Sequence, residues 1–196
     1  MSLEFDTDPL VTLEHWHAEA RSAGAIEPDA MTLATATADG RPSARIVLYK
    51  GTQDGKIQFV TNYASRKGRE LAQNPAVALV FFWIEIQRQV RIEGRAERSG
   101  DAQSDRYFET RPRESQLGAW ASEQSEVIAS RAELEARYAA VDERFRGKTV
   151  PRPADWGLYE VTPQVLEFWS SRPYRLHDRS RFQRSGDGWS LDLLSP

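Results

Sequence analysis

Hydrophobic positions along the chain change their period several times, and each change marks an element. Leu10, Leu13, Trp16 and Ala20 recur at helical spacing behind Asp8-Pro9, a helix-opening pair, and Gly24 closes the segment, which predicts a helix over 8–24. Segments 31–37, 43–50 and 56–62 are rich in β-formers. The turn Ala38-Asp39-Gly40-Arg41 and the Gly-containing turn 51–55 join them, which predicts an antiparallel meander. A short helix begins at Ser65 and ends near Asn74-Pro75. Residues 76–83 are almost wholly apolar, so a strand buried on both faces is expected there. In 87–98 the alternation is clear: Val90, Ile92, Gly94 and Ala96 share one side, and Gln89, Arg91, Glu93, Arg95 and Glu97 the other. Residues 101–110 and 129–146 read as helices, the second with Leu134, Tyr138, Val141 and Phe145 as its apolar stripe. Pro112 ends one helical segment and fits the first turn of another. Four strands close the chain, over 156–161, 165–169, 174–183 and 189–193. Many antiparallel strands with a few helices between them predict one mostly-β, α+β domain over 1–196, a closed barrel with a helical insertion at 101–147.

Composition narrows the function classes. The 196 residues are 40% hydrophobic, enough for one real core, and the net charge of −3 argues against a general nucleic-acid binder. Any anion binding should therefore be focused on a site. Cysteine is absent, which excludes disulfides, thiolate metal sites and a thiol nucleophile and suits a cytoplasmic location. With three His in the chain, no metal site is expected. No basic-then-apolar leader is visible, and no apolar run approaches the ~20 residues of a membrane helix, so no membrane partner is expected.

Four constellations could carry chemistry. Arg45-Ile-Val-Leu-Tyr-Lys50 places cations of opposite parity at the ends of an apolar strand. A regular strand cannot aim both at one spot, so they grip different things or the strand is bulged; a core strand with charged ends is the plainer reading. Ser65-Arg66-Lys67 puts two cations in the first turn of a helix, against its dipole. A phosphate there would reverse the sign of that interaction, and a solvated basic turn is the alternative. Tyr107, Arg111 and Ser115 fall where one helix end meets the next start, and their donors suit a phosphate dianion unless the segment is a simple linker. Finally, Arg175, His177 and Arg179 would share one face of the strand 174–183, close after Trp169. Such a row needs an anion or water against it.

In order and wording these segments resemble the pyridoxamine 5′-phosphate oxidase family. The resemblance rests on Arg45-Ile-Val-Leu-Tyr-Lys50, Thr61-Asn-Tyr-Ala-Ser-Arg-Lys67, Arg88-Gln-Val90, Arg111-Pro-Arg-Glu-Ser-Gln-Leu-Gly-Ala-Trp-Ala-Ser122 and Arg175-Leu-His-Asp-Arg179, and it spans about 8–196. It implies an FMN-binding split β-barrel and a homodimer with FMN at the subunit interface, where the C-terminal strands 156–196 contribute to dimer and site. It implies oxidation of pyridoxamine or pyridoxine 5′-phosphate by O2 to pyridoxal 5′-phosphate, with H2O2 (and ammonia from the amine), in vitamin B6 metabolism. Carried over by motif, FMN is held by Arg45, Ile46, Val47, Leu48, Lys50, Val60, Thr61, Ser65, Arg66, Lys67, Gln89, Gln124, Ser125, Trp169 and Arg179. The substrate phosphate meets Lys50, Tyr107, Arg111 and Ser115, and Arg175 and His177 act on the pyridine ring as the catalytic pair. Two departures stand out: Val60 replaces the Tyr of many members, and the longer basic segment that precedes the first helix in many of them is absent. Rival readings are a related split-barrel oxidase acting on another ring, such as a phenazine precursor, and a non-catalytic flavin- or haem-binding split barrel.

Overall fold

The structure, a computed structural model, describes residues 5–196. Eight antiparallel strands dominate it: β1 (Ala30–Ala36), β2 (Pro42–Gln53), β3 (Lys56–Asn62), β4 (Ala76–Trp83), β5 (Arg88–Arg98), β6 (Trp156–Ser170), β7 (Asp178–Ser185) and β8 (Gly188–Leu193). Their order is β3-β2-β1-β4-β5-β6-β7-β8, and β3 also pairs with β6. That extra pairing closes six strands into a barrel and leaves β7 and β8 as a hairpin extending from β6. Closure removes the open edges of those six strands and leaves β8 as the edge strand.

Alternation fills the barrel. Leu33, Ile57, Phe59, Leu79, Phe81, Ile92, Val161, Leu166 and Phe168 are buried in one continuous core. Helix α1 (Pro9–Ser22) covers one end with Leu10, Leu13, Trp16 and Ala20, the stripe seen in the sequence, and Asp8 caps it by accepting the Leu10 N–H at 3.0 Å. Helices α2 (Arg66–Gln73), α3 (Asp101–Glu109), α4 (Arg113–Ala121) and α5 (Arg131–Arg144) complete the domain. A second, smaller core of Phe108, Leu117, Phe145, Val150 and Trp156 fastens α3, α4 and the end of α5 over the start of β6.

Several expectations are corrected. Strand β4 is not buried on both faces: Val77, Leu79, Phe81 and Trp83 point inward, while Ala76 is exposed and Phe82 is 56% exposed. A barrel has one interior, so the outer row of an apolar strand needs another cover. Residues 156–161 and 165–169 form one strand, not two. Pro163 is accommodated where the β5–β6 register shifts beside Gly94, so its missing N–H falls at an irregularity. The helix expected over 129–146 is Arg131–Arg144, because the Ser130 hydroxyl accepts the Glu133 N–H and so starts it later.

The largest correction concerns 174–183. Strand β7 starts only at Asp178, which pairs with Ser170, the last residue of β6; residues before it have no strand to pair with. Pro173–Arg175 instead form a single 3₁₀ turn, with Tyr174 (φ 60) and Arg175 (φ 63) both left-handed. Arg175 and His177 therefore do not share a strand face with Arg179.

Gly94 illustrates how tight the β5–β6 crossing is. A Cβ there would lie 2.4 Å from the Thr162 carbonyl oxygen. Gly94→Ala should destabilise the fold by about 1–3 kcal/mol, read as a lower denaturant midpoint with an unchanged m-value.

Candidate active site

The Ser65 N-cap sets the first part of the site. Its hydroxyl accepts the Gly68 N–H, so α2 begins as expected, and Lys67 in the first turn folds inward. The Lys67 ammonium donates to Gln124 Oε1 (2.8 Å), Thr61 Oγ1 (2.9 Å) and Ser65 Oγ (3.3 Å), all neutral oxygens. Burial, and then the positive charge of Arg45, lower its pKa to about 8. A buried cation at a helix N-terminus with only neutral partners is complete in hydrogen bonds and incomplete in charge. A phosphate suits that deficit. Gln124 lies just beyond α4, before Ser125, which is left-handed at φ 76.

The second part adjoins the first. Leu48, Lys50, Val60, Tyr107, Arg111 and Ser115 border a cavity of about 410 Å³. A neighbouring cavity of about 360 Å³ shares Val60, Arg111 and Ser115 and reaches Thr61, Gln124 and Trp156. The Arg111 guanidinium lies over the Trp156 ring at 4.5 Å, and Tyr107 stacks on the same indole at 6.2 Å. Its NH1 is buried with no hydrogen-bond partner, and burial lowers its pKa. An orphaned, desolvated guanidinium nitrogen beside Lys50, Tyr107 and Ser115 is a donor set that suits a phosphate. Lys50 follows Leu48 on the outer face of β2, while Arg45 shares the parity of the buried Val47 and Tyr49, so the two cations serve different places and the shift in β2–β3 register comes only after Tyr49.

The third part is a row across three strands. Gln89 pairs with Trp169, and Trp169 with Arg179, so all three share the barrel's outer face. The Trp169 and His177 rings are 4.7 Å apart. His177 Nδ1 accepts the Arg172 N–H at 3.1 Å, which leaves Nε2 to carry the proton of the neutral ring. Arg179 is already engaged: Nε donates to Glu167 (2.9 Å) and NH1 to the Ser195 carbonyl (2.9 Å), and Glu167 raises its pKa.

Other candidates are placed differently. Arg45 turns toward the barrel end, where it meets Leu33 O, Thr35, Ser43 and Glu70. Arg66 donates to the other oxygen of Glu70 and lines a separate cavity with Arg41 and Arg69. The Val47 side chain is in the core, which leaves only its backbone for a ligand, while Ile46 and Leu48 face outward at 61% and 42% exposure. Sequence reading missed Trp156, the wall behind Arg111, and Glu70. The i,i+4 spacing from Arg66 to Glu70 was the available signal for the latter.

Neither of the two cavities is lined by a residue of the Trp169 row. Trp156 opens β6, and Trp169 is next to last of its 15 residues. At about 3.3 Å per residue the strand carries the two roughly 40 Å apart along its contour.

Residues 18–145 match the family described as pyridoxamine 5′-phosphate oxidase, and residues 156–196 match the pyridoxine 5′-phosphate oxidase C-terminal dimerisation region. The chain belongs to the pyridoxamine 5′-phosphate oxidase family. It is 55% identical to the pyridoxine/pyridoxamine 5′-phosphate oxidase of Rubrobacter xylanophilus, over 97% of this chain and 88% of that one. The Burkholderia multivorans protein of the same name is 56% identical, over 96% and 89%. Among solved structures, PhzG from Burkholderia lata, in complex with tetrahydrophenazine-1-carboxylic acid, matches with a TM-score of 0.93 and 32% identity, covering 100% and 99%. A pyridoxamine 5′-phosphate oxidase-related, FMN binding protein from Nostoc punctiforme shares the fold, at a TM-score of 0.75 and 16% identity. The chain is thus a flavoprotein oxidoreductase of the pyridoxamine 5′-phosphate oxidase family, with that family's split barrel and dimerisation region. No helix among the described residues is long and apolar enough to cross a membrane.

Proposed function

We propose that the protein is an FMN-dependent oxidase of pyridoxamine and pyridoxine 5′-phosphates, using O2 and releasing pyridoxal 5′-phosphate, H2O2 and, from the amine, ammonia. The observation that carries this reading is the pair of adjoining anion sites, one around Lys67 and one around the orphaned nitrogen of Arg111. Two phosphorylated ligands, cofactor and substrate, need two such sites. A pure flavin or haem binder has no use for the second.

Thr61, Ser65, Lys67 and Gln124 would hold the FMN phosphate. Gln89, Trp169 and Arg179 would meet the same cofactor from a second copy of the chain. Separation along β6, the matched dimerisation region and the outward apolar residues Ile46, Leu48 and Phe82 all favour a homodimer with composite sites. FMN, when bound, supplies the two-electron acceptor chemistry that no side chain here offers. The chain's own residues bind and orient. Lys50, Tyr107, Arg111 and Ser115 fix the substrate phosphate, remote from the reacting carbon, and convert binding energy into alignment. Arg175 and His177 act on the ring, with His177 presenting Nε2–H to a ring substituent.

Fold similarity to PhzG favours a second reading, oxidation of a phenazine precursor. Identity of 55–56% to oxidases of the B6 phosphates, against 32% to PhzG, and a four-donor phosphate pocket support the first. The test is direct: purified protein in air receives pyridoxine 5′-phosphate, free pyridoxine or a tetrahydrophenazine carboxylic acid. We expect aldehyde and H2O2 in equal amounts from the phosphate ester, and from free pyridoxine a rate at least about a hundredfold lower, since the remote anchor is missing. Turnover of the phenazine alone would give the site to the second reading. A protein that takes up no FMN would overturn both.

A further inference from the structure

We propose that Glu70 is a positioning residue for the cofactor phosphate, presenting the guanidinium groups of Arg45 and Arg66 to it. The proposal rests on the FMN reading above and concerns a residue that the sequence motifs did not single out.

Glu70 lies on α2, one turn after Arg66, with its side chain only 5% exposed. Its carboxylate is surrounded by donors. Thr35 Oγ1 (2.5 Å), Ser43 Oγ (2.7 Å) and Arg45 NH2 (3.3 Å) reach Oε2, and Arg66 Nε (2.9 Å) reaches Oε1. Burial alone would favour the neutral acid, but these donors outweigh it and bring the pKa to about 2. Glu70 is therefore an anion at any working pH. It ties together two arginines from different elements, one on β2 and one on α2.

Those arginines and Lys67 place three cations close to the start of one short helix, and Arg45 already depresses the Lys67 pKa. Glu70 offsets one charge. The remaining two positive charges match a phosphate monoester dianion. Each arginine also keeps donors for a ligand. Arg66 bonds Glu70 through Nε alone, which leaves both terminal nitrogens of a 60% exposed side chain open to solvent. Arg45 uses NH1 and NH2, so its Nε stays free. A neutral amide at position 70 cannot do the same work. One of its two polar atoms is itself a donor, so it would face a guanidinium N–H with a like group and release one arginine.

The test compares two flavins on the flavin-loaded protein. FMN-loaded wild type and Glu70→Gln are diluted, and dissociation is read from recovered flavin fluorescence. The same proteins exchanged with riboflavin report on the ring without its phosphate. We expect Glu70→Gln to raise the Kd for FMN about tenfold or more, the size of a lost charge-assisted contact, and to leave riboflavin within about twofold. Equal weakening of both flavins would reduce Glu70 to a structural role and overturn the proposal. Unchanged or tighter FMN binding would mean that the carboxylate competes with phosphate, which also overturns it. Glu70→Asp keeps the charge but shortens the reach, so it guards against a Gln variant that does not fold. Its expected signature is a smaller loss, again confined to FMN, and wild-type FMN affinity there would refute the proposal. Wild type binding FMN no tighter than riboflavin would instead refute the phosphate site itself.

Discussion

Replacing Arg111 with methionine should lower kcat/KM toward pyridoxine 5′-phosphate by about two to three orders of magnitude, since truncating one partner of a buried charged pair removes about 2–5 kcal/mol of binding. Stability should barely move. The guanidinium is desolvated and one nitrogen lacks a partner, so the protein without substrate gains by losing it. Against that stands the stacking on Trp156 and Phe108, at 4.5 Å and 5.8 Å, worth about 0.5–2 kcal/mol, part of which a methionine recovers by packing on the same rings. Kinetics and a thermal melt on the same sample check the pair of outcomes. A variant with near wild-type kcat/KM would remove Arg111 from the substrate site. Lysine should not rescue, because one ammonium cannot reproduce a planar fork. If the site is composite, Arg111→Met mixed and refolded with an inactive Arg175→Ala chain should recover about a quarter of wild-type activity. Half of randomly paired dimers are mixed, and each mixed dimer assembles one intact site.

Lys67 should make cofactor loading and stability respond to pH with opposite signs. In the flavin-free protein its pKa is depressed from 10.5 to about 8, chiefly by burial. Below about 8 the ammonium is charged in folded and unfolded chains alike, and the burial penalty is fully present. Between about 8 and 10.5 the folded state has released a proton that the unfolded chain retains, so this group's contribution to stability rises with pH across that window. FMN binding follows the reverse course. A phosphate raises the pKa of the ammonium it contacts, so binding above about 8 must take up a proton, and affinity falls by up to about tenfold per pH unit. FMN dissociation constants and flavin-free melting temperatures from pH 6.5 to 9.5 would show the two slopes. Lys67→Met should flatten both and weaken FMN binding about a hundredfold or more, the scale of losing a buried charge-assisted contact. Equal slopes in wild type and variant would assign the pH response to another group.

How far the sequence carried the reading depended on range. The α1 stripe, the β1–β3 meander and the Ser65 cap depend on neighbours a few residues apart, and all appear in the structure. Tyr107 on α3, Arg111 in the link and Ser115 on α4 converge because Pro112 forces a break between the helices, again a local rule. Long-range facts were hidden. Whether 174–183 is extended depends on where β6 ends, and no property of Arg175 or Leu176 announces that. The apolar run 76–83 shows that Phe82 needs cover, but not that a barrel supplies only one interior. Glu70 looked like any surface acid on a polar helix until Thr35, Ser43 and Arg45 arrived from other strands.

Strand β6 begins beside the Arg111 pocket and ends beside the Trp169 row, so in the proposed dimer a single pleated rod would space the two half-sites of each chain. Its length is then a functional quantity, separate from its side chains. Two extra residues would preserve the in-and-out alternation and leave the barrel's apolar pattern intact. They would also move one half-site by about 7 Å relative to the other. The β7–β8 turn at Ser185–Gly188 escapes this constraint, because residues added there leave the β7–β8 register, and with it the Ser195 contact to Arg179, in place. Over evolution, length changes should therefore collect at that turn and be purged from β6, even where every residue in contact with a ligand is kept.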